Sequence, residues 1–230
     1  MTPSSWSGSW SAKELREAEA GMKLPRLYPI ADWASLNARG IRVADFAREM
    51  AQAGVGVLQY RDKLRSDEEV LGAAREIAAQ FAGQECLFIL NDRPELAREL
   101  GWGVHVGHLD ASPDVVRQRM GGRECVIGVS THDAAQMMAA NAGAADYVAV
   151  GPVFATVSKA DLEPVVGLEG VRRARAMTSK PLVAIGGITR FNAASVIAAG
   201  ADSVAVIGAL LTPGAQPGQM AREWLAELRG

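Results

Sequence analysis

Thr156, Ser158 and Lys159 place two hydroxyls and an ammonium within four positions, directly after the strand-forming run 147–150. Hydroxyls and a cation at that spacing form an anion clamp, because each can donate to a phosphate oxygen. Two further polar clusters follow apolar runs, Gln59-Tyr60-Arg61-Asp62-Lys63 and Asn91-Asp92-Arg93, and the pair Gly186-Gly187 follows a third. Glycines let backbone amides approach an anion at a helix start. The chemistry shared by these clusters is the handling of phosphorylated substrates.

Each cluster also has a plainer reading. Arg61, Asp62 and Lys63 have the composition of a solvated loop, the usual fate of a charge run. Gln59 differs, because it lies inside an apolar run where an unpaired amide costs about 1 to 3 kcal/mol. It needs a partner or a task. Asn91-Asp92-Arg93-Pro94 can cap the helix that follows, with Pro94 in its first turn and Asp92 accepting backbone donors. Alternatively Asp92 joins Asp110 on a divalent cation, since magnesium needs one or two carboxylates and leaves positions open for substrate phosphates. His105 and His108 suggest zinc only weakly, for no cysteine or carboxylate completes a tetrahedral set at ligand spacing. They are expected to be structural or to support other groups, and His132 to sit at a helix start.

The elements that position these residues alternate along the chain. Strand candidates fall at 27–31, 55–60, 86–90, 103–106, 125–129, 147–150, 181–185 and 203–207. The clearest helix is expected over 66–81, where Val70, Leu71, Ala74, Ile77, Ala78 and Phe81 recur at three- and four-residue spacing, and Ser66 with Glu69 forms a capping box. Ala53-Gly54-Val55, Ala142-Gly143-Ala144 and Ala199-Gly200-Ala201 each place glycine just past a helix end, where a left-handed conformation turns the chain into the next strand. Alternating strands and helices demand parallel pairing, and eight such units predict an α/β fold, a single closed (β/α)8 TIM barrel. An open doubly wound sheet is the alternative. In a barrel the catalytic groups come from the carboxyl ends of the strands, which is where every polar cluster falls, with Ser130 closing the fifth strand and Asp110 just past the fourth.

A chain of 230 residues that is 49% hydrophobic suits one such domain. Residues 1–25 read as a short amino-terminal extension, serine-rich and then charged, flexible or partly helical. Residues 26–230 form the barrel. The tryptophans of the extension, Trp6 and Trp10, can dock on the body or on another subunit. A formal charge of −2 leaves no basic field for nucleic acid, so phosphate recognition must be local. No run approaches the ~20 apolar residues of a membrane span, and no basic segment followed by an apolar one opens the chain, which points to the cytoplasm. Cys86 and Cys125 lie in apolar runs and are expected to be buried thiols.

From about Leu27 to Leu211 the chain resembles the thiamine-phosphate synthase family. The resemblance rests on Gln59-Tyr60-Arg61-Asp62-Lys63, Leu90-Asn91-Asp92-Arg93, Gly103-Val104-His105-Val106-Gly107, Ile127-Gly128-Val129-Ser130-Thr131-His132, Gly151-Pro152 through Lys159-Ala160-Asp161, and Ala184-Ile185-Gly186-Gly187-Ile188-Thr189. It implies coupling of hydroxymethylpyrimidine pyrophosphate to a hydroxyethylthiazole phosphate, with release of pyrophosphate. By the resemblance, Gln59, Arg61, Lys63 and Asn91 contact the pyrimidine pyrophosphate, Ser130 and Lys159 complete those contacts, and Asp92 and Asp110 hold Mg2+. Thr156 and Ser158 meet the thiazole phosphate, with Gly187, Ile207 and Gly208 at the loops that supply further amides. Arg61, Lys63, Lys159 and Ser130 carry the catalytic charge stabilisation. The partners implied are these small phosphorylated substrates, with no nucleic acid and no membrane; self-association into a homo-oligomer is left open.

Three segments depart from the family pattern. His108-Leu109-Asp110 keeps only the last acid of the usual Gln-Glu-Asp, Gly208-Ala209-Leu210 replaces Ser-Ala-Ile and loses a hydroxyl, and Ala155 stands where proline is common. The rival activity is a thiazole tautomerase of the same fold; a non-catalytic sensor of thiamine precursors is the reading from another class. A sugar-phosphate isomerase would want an acid–base pair facing its substrate.

Overall fold

The computed structural model describes residues 22–108, 110–121, 125–156 and 164–228. Eight parallel strands, β1 (Leu27–Asp32), β2 (Val57–Arg61), β3 (Leu87–Asn91), β4 (Gly103–Val106), β5 (Ile127–Thr131), β6 (Tyr147–Val150), β7 (Leu182–Ile185) and β8 (Ser203–Val206), pair in chain order. The ring closes where Tyr28 of β1 meets Ala205 of β8, which excludes the open sheet. Among the described residues the helices are α1 (Trp33–Asn37), α2 (Val43–Ala53), α3 (Asp67–Gln80), α4 (Pro94–Leu100), α5 (Pro113–Arg119), α6 (Ala134–Ala142), α7 (Gly167–Met177), α8 (Arg190–Ala198) and α9 (Pro217–Glu227). None is long and apolar enough to cross a membrane.

Strand alternation sorts the apolar residues into two cores. Outward-facing Leu58, Tyr60, Leu90, Val104 and Val148 pack with the helices, while inward-facing Tyr28, Ile30, Val57, Ile89, Tyr147, Val183 and Ala205 fill the barrel. Met22 and Leu24 join that interior, and the Ser203 hydroxyl donates to the Pro25 carbonyl at 2.7 Å, so the residues just before β1 pack into the barrel. Residues 1–21 of the expected extension, with Trp6 and Trp10, lie outside the described residues.

Helix α3 begins where its capping box demands, with Ser66 and Glu69 bonded reciprocally. Gly54 and Gly200 adopt the left-handed backbone expected of them, at φ 80° and 111°. Gly143 does not. Its backbone is extended, and glycine fits there because a Cβ would lie 2.9 Å from Asp114 Oδ2. Cys86 and Cys125 are half-buried and sit just ahead of β3 and β5, because those strands begin later than the apolar runs do. Burial nevertheless pushes the Cys86 thiol up to about 12.

Four strands, β1, β2, β3 and β5, reach further at their carboxyl ends than the apolar runs imply, while β8 stops one residue short of Ile207. Asp32, Arg61 and Asn91 are strand residues and not loop residues, and Ser130 lies within β5 as expected, which gives all four the rigidity of the barrel wall.

Candidate active site

A cavity of 470 Å³ opens at the carboxyl ends of the strands. Gln59, Arg61 and Lys63 reach it from β2 and the residues just beyond, Asn91 from the end of β3 and Asp92 from the residue after it, Asp110 from the turn after β4, and Ser130 from β5. Widely separated positions meet because parallel strands all point their carboxyl ends one way.

The period of two in β2 assigns the roles in its cluster. Gln59, Arg61 and Lys63 face the cavity, while Tyr60 and Asp62 face outward and are buried. Asp62 accepts from the backbone of Leu64 and Arg65, from Arg65 Nε at 2.6 Å and from the Tyr60 hydroxyl at 3.0 Å. Burial pushes its carboxyl up, but those four donors outweigh burial and hold it below the usual carboxylate range. Arg93 fastens the same loop, donating to Asp67 at 2.5 Å and to the carbonyls of Asp62 and Arg65. The loop is therefore a built turn and not a solvated charge run.

Arg61 is held by a residue the sequence reading did not single out. Its Nη1 lies 2.5 Å from Asp32 Oδ1, and β1 and β2 pair with Asp32 opposite Arg61. Asp32 Oδ2 also accepts from the Ser35 amide and hydroxyl at 3.0 and 2.6 Å, which caps α1. The available signal was an acid one residue beyond a strand run, at the level of an arginine on the next strand.

Asp92 does not cap the helix after it. The N-cap of α4 is Arg93, which makes no side-chain capping bond, and Pro94 supplies the first turn. Asp92 instead takes a left-handed backbone at φ 66°, anchored by its N–H on the His105 carbonyl at 2.8 Å, and its carboxylate pairs with Lys63 at 3.0 Å. A non-glycine residue held in that region is uncommon and clusters at functional sites. Asp110 Oδ2 accepts the Gly107 N–H at 2.8 Å. Among the described residues Asn91 Nδ2 is buried without a hydrogen-bond partner, in a residue that lines the cavity. A buried donor in this state is open to an acceptor from the cavity, whether water or a ligand.

His105 is buried at the cavity wall, bonded to the Tyr147 hydroxyl through Nδ1 and to Ser130 Oγ through Nε2. His108 packs edge-to-face on His132 at 4.9 Å, and His132 Nδ1 lies 2.7 Å from the Gly151 carbonyl oxygen. His132 precedes Asp133, the N-cap of α6. Among the described residues no three His, Cys, Asp or Glu side chains form a metal cage. The partner that Gln59 requires is the Tyr28 hydroxyl, at 3.0 Å. Neither tyrosine of the cavity floor, Tyr28 or Tyr147, was singled out from the sequence.

The chain after β6 runs along the end of β7, with the amides of Val153 and Phe154 donating to the carbonyls of Ile185 and Gly186. Gly187 must be glycine there, with φ 64° and the Ala155 carbonyl 2.6 Å from where a Cβ would stand. Among the described residues that line the cavity, Ile207 is present, and Thr156, Gly187 and Gly208 are not. Ser158 and Lys159 lie outside the described residues, as does Leu109.

Comparison with known proteins places this geometry. A family model described as thiamine monophosphate synthase matches residues 27–210. The chain belongs to that family. A thiamine-phosphate synthase of Koribacter versatilis is 48% identical over 209 residues, spanning 90% of this chain and 97% of the relative. One from Methanoregula boonei is 44% identical over 186 residues, spanning 80% and 85%. A solved thiamine phosphate pyrophosphorylase from Pyrococcus furiosus aligns with a TM-score of 0.77 at 28% identity, covering 89% of this chain and 97% of that one. Membership in the thiamine monophosphate synthase family makes the chain an enzyme, a transferase of thiamine biosynthesis. Neither the tautomerase nor the sensor reading finds support among these relatives.

Proposed function

We propose that this enzyme couples a hydroxymethylpyrimidine pyrophosphate to a hydroxyethylthiazole phosphate, and that the cavity beyond β2 to β5 binds the diphosphate. The observation that carries this reading is the convergence of Arg61, Lys63, Asn91, Asp92, Asp110 and Ser130 on one cavity. Two cations, a buried amide donor with no partner among the described residues and a hydroxyl suit a polyanion, and a leaving diphosphate accumulates the charge they stabilise. Lys159 extends the same clamp, and Thr156 with Ser158 takes the thiazole phosphate, supported by backbone amides near Gly187, Ile207 and Gly208.

Asp92 and Asp110 fit a magnesium ion. Both are hard oxygen donors on the cavity wall, and Asp110 has only one oxygen engaged by Gly107. When bound there, the ion supplies Lewis-acid neutralisation of the diphosphate. The protein's own residues do the rest. Arg61, fixed by Asp32, and Lys63, beside Asp92, hold the departing diphosphate in place. Ile30, Ala149, Val183, Ile185 and Ala205 form an apolar wall of the same cavity, which suits an uncharged pyrimidine ring and excludes water from the reacting carbon. Bond formation is then chiefly a matter of proximity, with the thiazole nitrogen attacking a pyrimidine cation held beside it.

The test is incubation with both phosphorylated precursors and magnesium. Thiamine phosphate should form with one pyrophosphate released per coupling. Isomerisation without coupling, or tight binding with no pyrophosphate release, overturns the proposal.

A further inference from the structure

Four buried or half-buried side chains below the diphosphate cavity join Gln59 in one continuous chain of hydrogen bonds. Gln59 Nε2 donates to Tyr28 Oη at 3.0 Å, Tyr28 Oη lies 2.8 Å from Tyr147 Oη, Tyr147 Oη 2.8 Å from His105 Nδ1, and His105 Nε2 2.9 Å from Ser130 Oγ. Strand register sets the order, since β3 to β6 place Asn91, His105, Gly128 and Tyr147 level with one another around the ring. Gly128 clears the space, because a Cβ at that position would overlap the Tyr147 ring. The rings of His105 and Tyr147 stack at 5.5 Å.

Donor counting gives this chain a direction. Among the described residues the Tyr28 hydroxyl meets only Gln59 and Tyr147. It accepts from the Gln59 amide, so its own proton must go to Tyr147; otherwise a fully buried O–H is stranded, at a cost of about 1 to 3 kcal/mol. Tyr147, having accepted, must pass its proton to His105 Nδ1. His105 then carries its hydrogen on Nε2 and donates to Ser130 Oγ. Ser130 accepts from below, and its hydroxyl hydrogen is left for an acceptor in the cavity. Burial pushes both phenols well above their ordinary pKa, so each remains an O–H donor at neutral pH.

We propose that Tyr28, Tyr147 and His105 are positioning residues, a one-way relay that holds His105 in its Nε2–H tautomer and thereby fixes Ser130 as a hydrogen-bond donor to the leaving diphosphate. The inference rests on the synthase reading for the identity of the acceptor, and on the floor geometry alone for the tautomer. It explains why two tyrosines occupy the barrel interior. A serine without the relay can turn its hydrogen back onto the histidine and present a lone pair to an anion; the relay removes that option before substrate arrives.

The test is long-range proton–nitrogen NMR on protein labelled with nitrogen-15 in its three histidines, with His105 assigned by the signal lost in His105→Gln. In the unsubstituted protein His105 should be protonated on Nε2 with Nδ1 as acceptor. Tyr147→Phe, which keeps the ring and removes the hydroxyl, should mix the two tautomers. It should also lower kcat on the order of tenfold with KM for the thiazole phosphate unchanged, because removing a transition-state donor outright costs about 10²–10³ in kcat and here the donor is only misdirected. Protonation on Nδ1 in the unsubstituted protein overturns the relay, as does a folded Tyr147→Phe with an unchanged tautomer and unchanged kcat. The first measurement needs no variant, so a misfolded substitution does not shelter the idea. Should the unsubstituted protein show the Nε2–H tautomer yet fail to couple the two substrates, the functional reading fails and the relay stands.

Discussion

Replacing Asp32 by asparagine isolates what holds Arg61. The carboxylate is 5% exposed and the guanidinium 19%, and their atoms meet at 2.5 Å. Asparagine is itself a good N-cap, so its single carbonyl oxygen should stay on Ser35 and preserve the start of α1. That choice turns the amide NH2 toward Arg61 Nη1, donor against donor. The lost contact is charge-assisted and worth about 1.5 to 3 kcal/mol. If it serves to orient Arg61 toward the diphosphate, that range corresponds to a fall in kcat/KM of roughly 10- to 150-fold. Stability should fall less, by about 1 kcal/mol, because a partly exposed guanidinium recovers water. Steady-state pyrophosphate release and thermal denaturation measure the two effects separately. Ser35→Ala is the control, since it weakens the cap without touching Arg61 and should leave turnover unchanged. An Asp32→Asn enzyme with kcat/KM equal to or above that of the unsubstituted protein refutes the argument, for Asp32 would then be competing with substrate for the guanidinium.

Three further outcomes follow from the same geometry. Gly128→Ala drives a methyl into the Tyr147 ring, so it should destabilise the barrel by about 1 to 3 kcal/mol in denaturant titrations; a neutral result would mean the ring has room to move. Asp62→Asn should destabilise at pH 7. The Asp62 carboxyl is held below its unfolded value of about 3.9, so its contribution is present above that pH and is lost as pH falls through the lower folded value; the gap between the two proteins should close below about pH 4, and a gap that persists counts against the assignment. Asp92→Asn should raise the magnesium concentration needed for half-maximal coupling while leaving α4 intact by circular dichroism, and an unchanged metal requirement would remove Asp92 from the ion's ligands.

The parts of this protein legible in one dimension are those set by neighbours in the chain. The strand and helix alternation, the Ser66–Glu69 capping box and the alternate spacing of Gln59, Arg61 and Lys63 all arise from backbone periodicity, which operates over a few residues. The expectation of a barrel, and of polar groups gathered at one end of it, follows from that alternation once parallel pairing is granted. What only tertiary structure decided is which groups face one another across strands. Closure of β1 on β8 and the register between β1 and β2 put Asp32 opposite Arg61. The left-handed backbone of Asp92 is anchored by the His105 carbonyl of the adjacent strand, which turned an apparent helix cap into a wall of the cavity. Tyr28 and Tyr147 looked like ordinary apolar strand residues because a phenol buried in a core and a phenol in a relay have the same local pattern. They are separated by 119 positions and joined by one hydrogen bond, a relation that exists only after the ring of strands has closed.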